Sequence, residues 1–303
     1  MDEVTYHILT EMKLPHVQII SLFDFESNYP LLMNAKSNRS LIEYYFTCTP
    51  FLPLYVMDHY PEVDIITYMD ADLFFFSTLE SVYQELADQS VLIIGHRFPP
   101  ALKELEIYGI YNVGMLSFRN DDNGLACLHW WRDRCLEWCY DRVENDRFAD
   151  QKYLDEWPDR FEGVVVLKHK GAGLAPWNLA NYVYSWKNSE LLIDGQSIIM
   201  YHFHGVKRIN RWITDTNIKG YKTKLPEMVR KRLYLPYLKE LNEINHNLDK
   251  YFGINFGKDQ SIRGSIEVQI SQKKKIFNML KIWRYFRPYF EKYVNNDLIL
   301  NKR

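Results

Sequence analysis

The chain has 303 residues, 47% of them hydrophobic, so it can bury a large core in one large or two modest domains. Its formal net charge of −2 gives no positive field for nucleic acid, which we therefore exclude as an expected partner. Its four cysteines include no Cys-x-x-Cys pair, which argues against a disulfide framework and against a structural zinc site.

The N-terminal segment lacks the basic-then-apolar pattern of a signal peptide, and no apolar run approaches the ~18–20 residues that span a bilayer. We therefore expect a cytoplasmic protein. Residues 1–13 predict a helix, residues 17–22 a strand and residues 24–39 a loop, because Asn28-Tyr29-Pro30 is typical of a turn. Residues 40–59 predict a helix that is interrupted near its prolines.

A short β-branched run, Ile65 to Met69, predicts a buried strand that leads into Asp70-Ala71-Asp72. Ligands of open α/β sheets bind beyond the carboxyl ends of strands. Two carboxylates one residue apart at such an end can hold a hard divalent cation through their oxygen atoms. The alternative is an ordinary turn, because aspartate is common after strands.

The first hundred residues alternate helix and strand with short connections, which predicts a mostly parallel α/β sheet in a domain at residues 1–225. Gly114 lies inside one predicted strand, where a glycine often marks the close approach of a ligand or another chain segment. Residues 226–303 change character and predict a helical extension. The expected elements are helices at 78–89, 125–143 and 228–248, and strands at 91–95, 110–118, 164–167 and 198–204.

The last predicted strand carries His202 and His204, which alternate along it and so point to one side. Neutral imidazole is a good ligand for a transition metal such as Mn²⁺. Lys207 and Arg208 follow Gly205 and can hold diphosphate oxygens. The alternative is that these histidines only form structural hydrogen bonds.

Residues 273–293 combine seven basic residues with large apolar ones at helical spacing. This pattern predicts an amphipathic helix that lies on an anionic membrane surface. A helix that covers the core with a solvated basic face is an equally good interpretation.

Four motifs follow one another within about residues 15–210: Tyr68-Met69-Asp70-Ala71-Asp72, Tyr111-Asn112-Val113-Gly114, Asp150-Gln151 and His202-Phe203-His204-Gly205-Val206-Lys207-Arg208. In type and order they resemble the motifs of the GT-A glycosyltransferases, specifically those like the retaining family 8 enzymes. The resemblance implies a GT-A-type, Rossmann-like fold with helices flanking the sheet. It also implies a nucleotide-sugar donor, with a UDP-sugar favoured, and Mn²⁺ or Mg²⁺ as cofactor.

The resemblance further implies residue roles. Asp70, Asp72 and His202 would bind the metal, with His204 as the alternative to His202. Gln151 would lie near the anomeric carbon, and Asp150 would bind donor or acceptor hydroxyl groups. Trp177 and Asn178 would line the acceptor side. The donor would be bound by Tyr68, Ala71, Asp72, Arg39, Asn112, Gly114, Gly205, Lys207 and Arg208. An ion pair between Arg39 and Glu43, one helical turn apart, is the alternative for Arg39.

Two departures from the family pattern stand out. Lys207 comes one residue earlier than the family's lysine and Arg208 takes that place, so the residue that reaches the phosphate is left open. We find no counterpart of the family's first strand, and we therefore expect the chain as given to lack part of the pocket for the nucleotide base.

These observations predict a hexosyltransferase-like, retaining enzyme of cell-surface polysaccharide biosynthesis. It would use a glycan or lipid-linked acceptor and work at the inner face of the membrane. A phosphatase of the haloacid dehalogenase type is disfavoured, because Phe74 stands where that class has threonine or valine. The second alternative is a catalytically degenerate GT-A protein that binds sugars or serves as a scaffold.

Overall fold

A computed structural model describes residues 3–210, 213–253 and 298–300. The chain divides into two compact units, Met1–His202 and Phe203–Arg303. The predicted domain division between residues 225 and 226 stays a prediction, and the predicted amphipathic helix at 273–293 lies outside the described residues. No helix within the described ranges is long and apolar enough to cross a membrane.

The first unit is built from helices and short strands that alternate along the chain. Its helices are α1 (Glu3–Met12), α2 (Leu22–Asn28), α3 (Pro30–Asn38), α4 (Leu41–Cys48), α5 (Phe51–His59), α6 (Glu80–Leu86), α7 (Asp122–Glu137) and α8 (Trp157–Arg160). Its strands are β1 (Ile65–Met69), β2 (Leu73–Phe75), β3 (Val91–Gly95), β4 (Tyr111–Arg119), β5 (Val164–Val166), β6 (Tyr184–Lys187), β7 (Glu190–Ile193), β8 (Gln196–Ser197) and β9 (Met200–His202). Short 3₁₀ helices lie at Pro100–Tyr108, Lys152–Glu156 and Leu179–Asn181.

The main sheet has the order β1-β4-β3-β5 and confirms the α/β class. The expected mostly parallel pairing is wrong for this sheet. β4 pairs antiparallel with both β1 and β3, and β3 pairs parallel with β5. The reason is the connection from β3 to β4: Gly95 lies opposite Tyr111, so residues 96–110 turn the chain straight back. Sequence alone does not show this, since a connection of that length also suits a parallel crossover.

The N-terminal predictions need two corrections. Residues 17–22 do not form a strand, and residues 24–39 are not a loop, because α2 and α3 occupy most of that segment. Ser21 caps α2 by accepting a hydrogen bond from Asp24 N at 2.9 Å. Pro30 opens α3 at its first turn, where its fixed φ favours a helix and its missing N–H costs nothing. The interrupted helix at 40–59 is confirmed as α4 and α5.

Helix α7 covers one face of the sheet, because its apolar residues recur at three- and four-residue spacing. Leu128, Trp131 and Cys135 are fully buried there among aromatic side chains. Trp131 Nε1 also donates a hydrogen bond to the backbone oxygen of Asp150 at 2.8 Å. A second apolar cluster, from α6, β3 and β9, covers the other face. The four cysteines are buried free thiols, as expected.

In the second unit, β10 (Lys207–Asn210), β11 (Ile213–Asp215) and β12 (Leu298–Leu300) form an antiparallel sheet. A 3₁₀ turn at Ile218–Tyr221 leads to α9 (Glu227–Val229), a π-helical turn at Arg230–Tyr234, and α10 (Leu235–Phe252). The predicted helical segment at 228–248 is therefore confirmed. Phe203 stacks on Tyr237 with ring centres 3.7 Å apart, which fixes the start of this unit on α10.

Asp121 is the cap that holds α7 on the sheet. Its Oδ1 accepts from Gly124 N at 2.7 Å, and its Oδ2 accepts from the Ser90 hydroxyl at 2.8 Å. We expect Asp121→Ala to lower the free energy of unfolding by about 1–2 kcal/mol, because both donors lose their acceptor. Urea unfolding followed by circular dichroism measures this. The control is Asp122→Ala, which removes an exposed carboxylate from the same turn; equal losses in the two variants would contradict the capping role.

Candidate functional site

The turn between β1 and β2 brings the two predicted aspartates to a third residue. Asp70 N donates to Gly114 O at 2.9 Å, so Asp70 continues the pairing of β1 with β4. The chain then turns through exposed Ala71 into β2, which pairs antiparallel with β9. In that pairing Leu73 lies opposite His202. The predicted metal ligands are therefore brought together by two short strands that share this one turn.

The geometry of these three side chains is compact. His202 Nε2 lies 2.9 Å from Asp72 Oδ1 and 3.9 Å from Asp70 Oδ2. The histidine side chain is 5% exposed, whereas the Asp70 and Asp72 side chains are 33% and 42% exposed. A buried imidazole nitrogen thus faces two carboxylates that reach solvent. This donor set suits a divalent cation that has open positions for other ligands.

The His202 ring is fixed from several sides. A Cβ added to Gly114 would lie 2.8 Å from His202 Nδ1, so the ring rests directly on the backbone of β4. Trp177 contacts the ring edge to face with centres 5.3 Å apart, and His202 N donates to Leu174 O at 2.8 Å. The expected close approach at Gly114 is thus made by a side chain of the site itself.

Asn112, predicted to bind the donor, supports this arrangement from within the protein. Its Oδ1 accepts from Gly114 N at 2.9 Å, and its Nδ2 lies 3.3 Å from His96 Nε2. A small, mainly apolar pocket adjoins His202 and is lined in part by Asn112, Gly114 and Trp177. Asn112 therefore orders the wall of this pocket.

Asp150 and Gln151 follow a strained point of the backbone. Ala149 is buried with a left-handed φ of 46°, an uncommon conformation for a residue with a side chain. Asp150 is 4% exposed, and burial raises its pKa to about 7, helped by the negative charge of Asp70 and opposed by a hydrogen bond from Thr49. Gln151 Nε2 donates to Tyr108 O at 3.0 Å, which fixes the orientation of its amide.

Arg39 lies at a helix end. Its guanidinium donates to the Thr47 hydroxyl and, at 2.7 Å, to Leu136 O in the last turn of α7, where a positive charge suits the helix dipole. Glu43 completes the cap of α4 with Ser40 and accepts from Asp141 N at 3.0 Å. Each of these residues thus joins α4 to the end of α7.

The two predicted acceptor residues are buried. Trp177 is 5% exposed, and Asn178 is fully buried. The Asn178 side chain accepts from Ala175 N at 3.0 Å and donates to His96 O at 3.0 Å and Gly173 O at 2.9 Å. These bonds hold the loop that presses Trp177 against His202.

In the second unit, His204 is exposed and its ring contacts Tyr221. Gly205 has φ +71°, and a side chain there would collide with Asn217, so glycine is required. Lys207 is exposed and Arg208 is half-buried at successive positions of β10. Because successive side chains of a strand point to opposite faces, a ligand on one face of β10 meets only one of these two bases.

Two residues near the site, Thr49 and His96, lie outside the four sequence motifs. Thr49 is buried at the junction of α4 and α5, its hydroxyl donates to Tyr45 O at 3.3 Å, and its nearness lowers the pKa of the Asp150 carboxyl. His96 follows β3 and is stacked on Phe98. A polar residue beside Pro50, at a helix break, is the only signal that pointed toward Thr49.

The chain is similar to two proteins of Bacillus subtilis (strain 168), each named only as an uncharacterized protein. It is 33% identical to YfnF over 218 residues, which are 69% of this chain and 71% of YfnF. It is 31% identical to YfnD over 244 residues, which are 80% of this chain and 77% of YfnD. No family model matches the chain.

The contact between Gly114 and His202 predicts a sharp size limit at position 114. In Gly114→Ala the new Cβ would lie 2.5 Å from Asn112 Oδ1 and 2.8 Å from His202 Nδ1. We expect a loss of about 1–3 kcal/mol in the free energy of unfolding, since an overpacked site must shift. The control is Gly95→Ala in the neighbouring strand, where the nearest atom would be 3.8 Å away. A loss in Gly114→Ala no larger than in the control would count against this packing.

The buried Asp150 predicts a pH dependence with a defined sign. Its pKa is about 7 in the folded protein and near the ordinary value of 3.8 when unfolded. The folded state therefore holds the proton between these values, and Asp150 destabilises the fold as pH rises through that window. We expect Asp150→Asn to have a free energy of unfolding about 2–4 kcal/mol higher than the parent at pH 8, with little difference at pH 4. Urea unfolding at the two pH values measures this difference. A difference that is the same at both pH values would contradict the assignment.

Proposed function

The chain belongs to the family of the Bacillus subtilis proteins YfnF and YfnD, and we propose that it is a metal-dependent glycosyltransferase. It would move a sugar from a nucleotide-diphosphate donor to a glycan or lipid-linked acceptor. The observation that carries the proposal is the convergence of Asp70, Asp72 and the His202 imidazole at the end of β1. The four ordered motifs that resemble the GT-A enzymes supply the reaction class.

The residues of the site fit the cofactor that this proposal needs. Two carboxylates and one neutral imidazole are suitable donors for Mn²⁺ or Mg²⁺, and the buried imidazole is held in one orientation by Gly114 and Trp177. Asp70, Asp72 and His202 would hold the ion. When bound, the ion supplies positive charge that stabilises the diphosphate leaving group. His204 stays the alternative ligand, since two residues of chain keep it within about 7 Å of His202.

A basic residue of β10 would share the charge of the diphosphate. Lys207 and Arg208 point to opposite faces of the strand, so only one of them would be offered to a given phosphate group. A fixed cation near the leaving oxygen would stabilise the negative charge that develops on that oxygen in the transition state. Gly205, with its left-handed φ, sets the direction in which this strand leaves His204.

Asp150 and Gln151 would meet the donor sugar. The Asp150 carboxyl is buried beside the Asp70 charge, and its raised pKa lets it donate as well as accept hydrogen bonds to sugar hydroxyl groups. Gln151 commits its amide nitrogen to Tyr108 O. Its amide oxygen is then the group that would face the anomeric carbon. Retention of the anomeric configuration is proposed from the family resemblance.

The biological setting follows from the same resemblance. A UDP-sugar is the favoured donor, and cell-surface polysaccharide synthesis is the favoured pathway. The basic segment at 273–293, predicted to lie on the inner face of the membrane near lipid-linked acceptors, is outside the described residues and stays a prediction.

Calorimetric titration of UDP, GDP and CDP, with and without Mn²⁺, tests the proposal. We expect one nucleotide to bind only when the metal is present. Asp72→Asn should weaken that binding at least about tenfold, because it removes a charged ligand next to His202 Nε2. The matched control is Asp64→Asn, just before β1, where the carboxylate is 72% exposed and pairs with Arg119 at 2.7 Å.

Three outcomes would contradict the proposal. The first is that none of the three nucleotides binds, and the second is that a nucleotide binds equally well with and without Mn²⁺. The third is that Asp72→Asn and Asp64→Asn weaken binding equally. Each would favour the alternative of a GT-A-like sugar-binding or scaffold protein that has lost turnover.

A further inference from the structure

Tyr68 is bonded to one of the candidate metal ligands. It lies two residues before Asp70 on extended backbone, so both side chains point to the same side of β1. The Tyr68 hydroxyl donates to Asp70 Oδ1 at 2.7 Å. Its ring packs against the main apolar cluster, which fixes the position from which the hydroxyl donates.

This bond distinguishes the two oxygens of Asp70. Oδ1 is occupied by the Tyr68 hydroxyl, and Oδ2 is the oxygen that lies 3.9 Å from His202 Nε2. A carboxylate that is half-exposed and free to rotate would sample many orientations. The hydroxyl limits this rotation and turns one defined oxygen toward the histidine.

Tyr29 and Tyr44 of the same unit also donate to carboxylates, those of Asp58 and Glu26, but the carboxylate that Tyr68 meets is a candidate metal ligand. Other tyrosines of the unit donate to backbone carbonyls. The hydroxyl of Tyr153 donates to Trp138 O at 2.7 Å, and that of Tyr184 donates to Leu179 O at 2.8 Å. Both satisfy a backbone carbonyl, which is the ordinary role of a buried tyrosine. Phenylalanine would fill the space at position 68 equally well, so the packing does not explain the hydroxyl.

We infer that Tyr68 is a positioning residue of the metal site, whose hydroxyl presents Asp70 Oδ2 to the cation. The resemblance to GT-A enzymes gave Tyr68 only a donor-binding role. The inference rests on the proposed function, since it assigns a role within the same site.

The first test measures Mn²⁺ affinity directly, without turnover, by calorimetry on the parent protein, Tyr68→Phe and Tyr153→Phe. We expect Tyr68→Phe to bind Mn²⁺ about tenfold more weakly, as for the loss of a partner that orients a metal ligand. Tyr153→Phe loses a comparable buried hydroxyl and should bind within about twofold of the parent. Unchanged affinity in Tyr68→Phe, while the parent binds Mn²⁺, would overturn the inference and leave the proposed function standing.

A second test uses metal-free protein and asks whether the Tyr68 hydroxyl acts through Asp70. Its result does not depend on whether the parent binds Mn²⁺. Thermal unfolding is compared for the parent, Tyr68→Phe, Asp70→Ala and the double variant. We expect Tyr68→Phe to lower the Tm by about 2–4 °C in the parent, and to have no such effect when Asp70 is already alanine. An equal decrease in both backgrounds would show that the hydroxyl does not act through Asp70.

Discussion

The candidate site depends on the contact between the His202 imidazole and the bare backbone at Gly114. Nδ1 of the ring faces this glycine, so Nε2 is the nitrogen that meets Asp72 at 2.9 Å. A side chain at position 114 would push the ring away from the two aspartates. The pairing of β1 with β4, and of β2 with β9, exists on either side of this contact and fixes it. The four strands β1, β2, β4 and β9 together therefore hold the His202 ring in place.

Negative charge is the second feature that shapes the site. Asp70 and Asp72 share one turn, and Asp70 is near enough to raise the pKa of buried Asp150. Carboxylates gathered in this way are unfavourable unless a proton, a hydrogen bond or a cation compensates them. Tyr68 supplies a hydrogen bond to Asp70, and the Asp150 proton supplies a further part of the compensation. A divalent ion beside His202 would complete the compensation, which links the electrostatics of the fold to the proposed chemistry.

Sequence patterns predicted the elements whose apolar residues follow a regular spacing or form a continuous run. The strand at Ile65 to Met69 and the buried stripe of α7 follow from such patterns. The meeting of Asp70, Asp72 and His202 was implied by the resemblance to the GT-A enzymes. The antiparallel direction of β4 was not predicted, because the length of the connection from β3 to β4 fits a parallel or an antiparallel strand. The roles of Arg39 and Asn178 were not visible either. Their partners, Leu136 O and His96 O, lie 97 and 82 residues away, and only the folded chain brings them into contact.

The most direct measurement of the central claim is anomalous diffraction at the manganese edge from crystals grown with Mn²⁺ and the nucleotide diphosphate. The account predicts one strong peak at about 2.0–2.4 Å from an oxygen of Asp70, an oxygen of Asp72 and Nε2 of His202, with phosphate oxygens completing the coordination. A peak elsewhere in the molecule, or nucleotide bound with no manganese between its phosphates and these residues, would contradict it.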